Sequence, residues 1–254
     1  MDFGQYWDID LLRKNKEPIV RIIKEISDCY KVYFEYLKKG KSIHDLWEKE
    51  YLKGMDFNKA DKITQEIISK TIVGKLNKEG KEVHRFSGAL TPQGQICFYE
   101  ELTDGIINRY VVKGRPGTGK STMNKKIAKA ALEAGFDVEY YHCAFEPASI
   151  DMIIIPELDF AILDGTAPHV FDPDGDDILV DMFTCIDTNI VHEEDNPIKQ
   201  ITEDYASELK KAKDVYKKIK DLHDELEKYY IAATDFNEVN ALRIRIENEL
   251  KNLR

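Results

Sequence analysis

The residues most able to do chemistry form one run, Gly114-Arg115-Pro116-Gly117-Thr118-Gly119-Lys120-Ser121-Thr122, which fits the spacing G-x-x-x-x-G-K-[ST]. Glycine has no Cβ, so a loop built on it can turn several successive backbone N–H groups toward the oxygens of one phosphate. Lys120 would reach the β- and γ-phosphates, and the Ser121 hydroxyl would ligate Mg²⁺. The whole run, Gly114 to Thr122, is the predicted nucleotide contact. A chance glycine-rich turn is the alternative, and the flanking sequence argues against it.

Asn108 to Lys113 reads as a short β-branched and aromatic strand entering the loop. Ser121 to Ala134 is rich in Lys and Ala, has no breaker and stops at Gly135, as a helix does. The N-terminus of that helix would add its dipole to the anion site.

A second apolar run, Phe160 to Leu163, ends in Asp164. An acid at the C-terminal edge of a strand beside a phosphate loop is where the Mg²⁺ shell needs a carboxylate, so Asp164 joins Ser121 as the predicted metal set. The following stretch, Asp164 to Pro173, holds small residues, two prolines and His169. His169 could contact the γ-phosphate, an attacking water or a substrate, or could simply bond local backbone. Lys120, Asp164 and His169 are therefore the candidate catalytic residues. Glu146, Asp151 and Glu157 are further acids near predicted strand ends. No Glu follows Asp164, so a water-activating base at that position is missing. Arg115 could touch phosphate or point outward to surface carboxylates.

Around these residues the sequence predicts an α/β fold: a P-loop NTPase core with a mainly parallel sheet, flanked by helical hairpins. Asp137 to Cys143 and Met152 to Ile155 are further strand candidates. His84 to Leu90 and Gln95 to Leu102 read as a hairpin about Thr91-Pro92-Gln93-Gly94.

Composition narrows the classes. The 254 residues carry 43% hydrophobic and 33% charged side chains, a balance typical of a helix-rich globular protein. No apolar run approaches membrane-spanning length and no signal-peptide pattern opens the chain, which points to the cytoplasm. The four cysteines, Cys29, Cys97, Cys143 and Cys185, form no C-x-x-C and read as reduced thiols. A net charge of −10 disfavours a general nucleic-acid surface.

The chain also matches itself at an offset of 179 residues, which takes Asp2 to Asp181. Asp8 then pairs with Asp187 and Pro18-Ile19 with Pro197-Ile198. His44-Asp45 pairs with His223-Asp224, Glu48-Lys49 with Glu227-Lys228, and Asp56-Phe57-Asn58 with Asp235-Phe236-Asn237. Residues 1–79 would then be the helical tail of an upstream copy whose own core lies outside this sequence. Residues 80–195 form the nucleotide-binding core and 196–254 a C-terminal helical hairpin. Apolar residues from Ile198 to Tyr229 recur at steps of three and four, predicting one long helix, and a second stripe runs from Val239 to Leu253. These hairpins either pack on a core of their own or dock a partner, as a homodimer or onto the upstream repeat.

The segments Gly114–Thr122, Tyr141-His142-Cys143, Ser149–Glu157 and Asp164–His169 together resemble an uncharacterised bacterial family of tandem P-loop ATPases. The resemblance covers roughly residues 80–190. It implies nucleotide binding, with ATP as the nucleotide. This sequence departs from the family by holding only one P-loop. A Mg²⁺-dependent ATPase is the leading expectation. A small-molecule kinase is the first alternative, though residues 136–190 offer no Arg or Lys for a basic lid. A scaffold that binds nucleotide without hydrolysing it is another. A GTPase reading rests on Asn58-Lys59-Ala60-Asp61 and Asp172-Pro173-Asp174-Gly175, which occur in permuted order.

Overall fold

A computed structural model describes residues 2–166, 170–192 and 196–252. In chain order the elements are α1 (Ile9–Lys14), α2 (Lys16–Leu52), α3 (Phe57–Thr71), β1 (Glu82–Phe86), β2 (Gly88–Thr91), β3 (Gly94–Cys97) and α4 (Tyr99–Leu102). They continue with β4 (Asn108–Lys113), α5 (Lys120–Glu133), β5 (Val138–His142), β6 (Ile150–Ile155), β7 (Phe160–Asp164), β8 (Ile178–Asp181), α6 (Asn196–Ala233) and α7 (Phe236–Lys251). The chain divides into two compact units, one of residues 1–35 and 212–254, the other of residues 36–211. That division falls inside α2 and α6, whereas the limits read from the sequence lie outside elements, 79/80 between α3 and β1 and 195/196 at the start of α6.

The larger unit is α/β. Six strands lie in the order β1-β5-β6-β7-β4-β8, and β6 alone runs antiparallel to its neighbours. The sheet is therefore mixed but mostly parallel. Runs of apolar residues fill the middle of β4, β6 and β7 because both faces there are covered. Every residue of β6 is buried, and so are Tyr110, Val111 and Val112 of β4. On one face α5 packs Met123, Ile127, Ala128 and Ala131 against the sheet, with Ala60 and Ile67 of α3 in the same cluster. On the other, Tyr99 of α4 packs against Val111, Tyr141, Met152 and Leu163.

The hairpin expected around Thr91–Gly94 is present but shorter than the sequence suggests. Only β2 and β3 form it, Tyr99–Leu102 is helical, and β1 leaves to pair in parallel with β5. All five residues of β1 are exposed, so no inside–outside alternation marks its place in the sequence.

The repeat is written in local structure. In the larger unit a turn of 3₁₀ helix, Met182–Cys185, follows β8, and Asp181 caps it by accepting from the Phe183 amide at 2.9 Å. In the smaller unit Phe3–Tyr6 is the same turn, capped by Asp2, which accepts from the Gly4 amide at 2.8 Å. The Asp56 amide donates to the Cys185 carbonyl at 2.7 Å and the Asp187 amide to Gly54 at 2.8 Å. Displaced by 179 residues, the Asp235 amide donates to Tyr6 at 2.9 Å and the Asp8 amide to Ala233 at 2.7 Å. Asp56 and Asp235 are also the N-caps of α3 and α7, each accepting amides one turn ahead. Within the smaller unit Tyr30 and Tyr33 of α2 meet Tyr216 of α6, and Trp7 meets Tyr230.

Candidate functional site

The glycine loop lies between the end of β4 and the start of α5, where sequence reasoning placed it. β4 matches the predicted strand, and α5 begins one residue earlier than expected, at Lys120. Gly117 and Gly119 have φ of 81° and 83°, a left-handed conformation that a side chain makes costly. Gly119 is the residue that caps α5, so the loop delivers its last amides directly into a helix N-terminus. Thr118 is buried and its hydroxyl donates to the Arg115 carbonyl at 2.7 Å, while the Gly114 amide donates to Thr166 Oγ1 at 3.0 Å. These bonds fix the curve of the loop from inside.

Asp164 ends β7, which lies directly beside β4, and the register sets Asp164 against Val112. The acid and the loop therefore emerge together at one sheet edge. Lys120 Nζ donates to the carbonyls of Gly114 and Arg115 and stands 3.5 Å from Asp164 Oδ2. Burial pushes the Asp164 carboxyl above its ordinary range, against the pull of Lys120 and of the Thr166 amide, which donates to it at 2.9 Å. Asp151, at the start of β6, is buried and adds negative charge near Asp164. Ser121 Oγ accepts from the Ile150 amide at 2.9 Å, next to Asp151 in sequence.

A cleft of about 570 Å³ opens above the loop. Its floor is Pro116 to Met123 with Asp151 and Asp164. Its roof comes from the second half of α2, through Lys41, His44 and Glu48, with Phe145 and Tyr205 beside them. Lys41 ion-pairs with both Asp45 and Glu146, joining α2 to the segment after β5. His44 lies against Trp47, Phe145 and Tyr205. Burial lowers its pKa, an effect that the Glu48 charge opposes and the Lys41 charge reinforces. The Tyr205 hydroxyl is pushed up to about 12, chiefly by burial.

Of the predicted site residues, Pro116 to Thr122 and Asp164 line the cleft. Gly114 is buried beneath Thr118 and Met182, and the Arg115 guanidinium sits 5.5 Å from the Phe183 ring centroid. His169 lies outside the described residues. Of the three further acids, Asp151 and Glu146 line the cleft, while Glu157 bonds Lys78 at 2.7 Å and lies elsewhere. The roof residues were missed as site residues. Their one signal was the His-Asp-x-x-Glu pattern kept at residues 44–48 and 223–227, which sequence reasoning took only as proof of a repeat.

Two features fit a magnesium nucleotide. The oxygen set of Ser121, Asp151 and Asp164 is hard and carboxylate-rich, as Mg²⁺ requires, and Asp164 is buried where a cation would relieve its desolvation. The glycine loop offers amides and Lys120 to an anion. Among the described residues no helix is long and apolar enough to cross a membrane. No protein-family model matches the chain, and no curated protein or solved structure does either.

Proposed function

We propose that the chain is a Mg²⁺-dependent ATP-binding protein of the P-loop NTPase kind that hydrolyses the γ-phosphate of ATP. The observation that carries this reading is the glycine loop with two left-handed glycines, running from β4 into α5 with Asp164 in register beside it. The resemblance to tandem P-loop ATPases favours the same assignment.

Chemically, the loop amides and the α5 N-terminus would hold the β- and γ-phosphates. Lys120 would exchange its carbonyl partners for phosphate oxygens and neutralise charge developing on the γ-phosphoryl group. Ser121 and Asp164, with Asp151, would hold Mg²⁺. When bound, the ion supplies Lewis-acid polarisation of the phosphate oxygens. The roof over the loop would limit water around the reacting phosphate.

A second reading, GTP as the nucleotide, has one observation in its favour: Asp61 of Asn58-Lys59-Ala60-Asp61 lines the cleft. Its carboxylate is ion-paired with Lys126, however, and Lys59 donates to the Thr184 carbonyl. Lys59 and Asp61 of the motif are thus engaged within the protein, which weighs against a guanine contact. The helical segments would supply contacts to a second copy or to an upstream repeat.

The test is phosphate release from ATP and from GTP with Mg²⁺, comparing the native chain with Asp164→Asn. ATP turnover abolished in the variant supports the proposal. A rate in Asp164→Asn equal to the native rate contradicts it.

A further inference from the structure

A hydrolase needs a group that takes the proton of the attacking water, and among the described residues the sheet edge does not offer a free one. Asp164 is close to Lys120 and accepts from Thr166, and the residue after it is Gly165. Asp151 is buried at the start of β6. Glu146 is neutralised by Lys41, and Asp61 by Lys126.

We infer that Glu48 is the catalytic base of this hydrolysis, delivered to the phosphate loop by α2. The assignment rests on the reading of the cleft as an ATP site. Glu48 lines the cleft, and its carboxylate makes no hydrogen bond or ion pair among the described residues. Its backbone touches the apex of the loop. A Cβ built on Gly117 would lie 2.7 Å from the Glu48 carbonyl oxygen and 3.3 Å from its Cα. Glu48 therefore stands beside the phosphate loop and lines the same cleft.

His44 and Glu48 occupy one face of α2, four residues apart, and a ring nitrogen of the first lies within 4.8 Å of a carboxylate oxygen of the second. Trp47, Phe145 and Tyr205 hold the imidazole from three sides. Its Nδ1 is buried without a hydrogen-bond partner among the described residues, so the ring is placed by packing. The repeat separates the parts of this pattern. Lys220 pairs with Asp224 as Lys41 pairs with Asp45, so the Lys–Asp pair belongs to the helix in both copies. Only Glu48 is placed against a glycine loop among the described residues.

In the step, the water oxygen bonds to the γ-phosphorus while the bond from that phosphorus to the β–γ bridging oxygen breaks. The electron pair leaves on the β-phosphate of ADP, and the water proton passes to the Glu48 carboxylate and then to solvent. Lys120 and the loop amides carry the charge on the transferring group.

The test uses the full chain with Glu48→Gln, and Glu227→Gln as the variant at the repeat-equivalent position. Affinity for ATP is read by titration, turnover by phosphate release, and bound nucleotide by chromatography of the denatured complex. Glu48→Gln should keep its affinity, lose turnover by about 10²–10⁴-fold and hold intact ATP where the native chain holds ADP. Glu227→Gln should match the native chain in all three. Turnover by Glu48→Gln at the native rate overturns the inference. Equal losses of affinity and rate also overturn it, because they make Glu48 a roof contact only. A native chain that binds ATP without turning it over removes the base assignment but leaves the site. A native chain that binds no ATP removes both.

Discussion

Gly117 joins the two halves of the site, because its backbone both shapes the loop and accepts the approach of α2. Gly117→Ala adds left-handed strain worth about 1–2 kcal/mol and a methyl against the Glu48 carbonyl. Denaturant unfolding should register that loss, and nucleotide affinity should fall with it. Asp164 behaves in the opposite way. Its folded-state pKa is raised, so the folded chain binds the proton more tightly than the unfolded one, and stability is lost as pH rises through the raised value. Asp164→Asn should therefore raise the unfolding midpoint of the nucleotide-free chain at neutral pH, by about 2–4 °C for each kcal/mol recovered. The same variant should lack the stabilisation by Mg²⁺ and ATP that the account predicts for the native chain. His44 supplies a pH signature. Burial holds its pKa below the ordinary value of about 6.5, so between the two values the unfolded chain binds more protons. Stability should fall as pH drops below about 6.5 and level off beneath the folded-state pKa. Thermal melts of His44→Asn between pH 5 and 7.5 should lose that slope.

At the scale of elements, β4, the loop and α5 were legible because each is local. A strand, a turn that only glycine tolerates and a breaker-free helix succeed one another within 30 residues. Asp164 was legible for the same reason, as an apolar run ending in an acid. The roof was not. His44 and Glu48 reach the loop because α2 packs over it, and nothing in the residues around them announces an approach to Gly117, some 70 positions later. The Lys41 pairs with Asp45 and Glu146 and the ring packing of Tyr205 hold that approach. β1 was misread as part of a hairpin because its partner, β5, is remote in sequence and its exposed residues give no period. The apolar faces carry the stability. Ile153→Ala, in the buried middle of β6, should cost about 2–5 kcal/mol in denaturant unfolding. Tyr205→Ala should act differently, loosening the roof and weakening nucleotide binding more than its effect on stability accounts for.

For the whole molecule, the 179-residue repeat proved to be a repeat of turns, caps and backbone hydrogen bonds as well as of letters. The larger unit carries that framework together with a sheet and a glycine loop. The smaller unit carries it on α2, α6 and α7, with Ile19, Ile22, Ile219 and Leu242 buried. Tyr216→Ala should lower stability and leave nucleotide affinity unchanged, since Tyr216 packs on Tyr30 and Tyr33 within the smaller unit. The central claim concerns the larger unit alone: its glycine loop is a magnesium-nucleotide site. Titration of the native chain and of Lys120→Ala with ATP in the presence of Mg²⁺ tests it most directly. Saturable binding by the native chain, lost in Lys120→Ala, is the predicted result. Equal binding by both chains, or none by the native chain, would contradict the account.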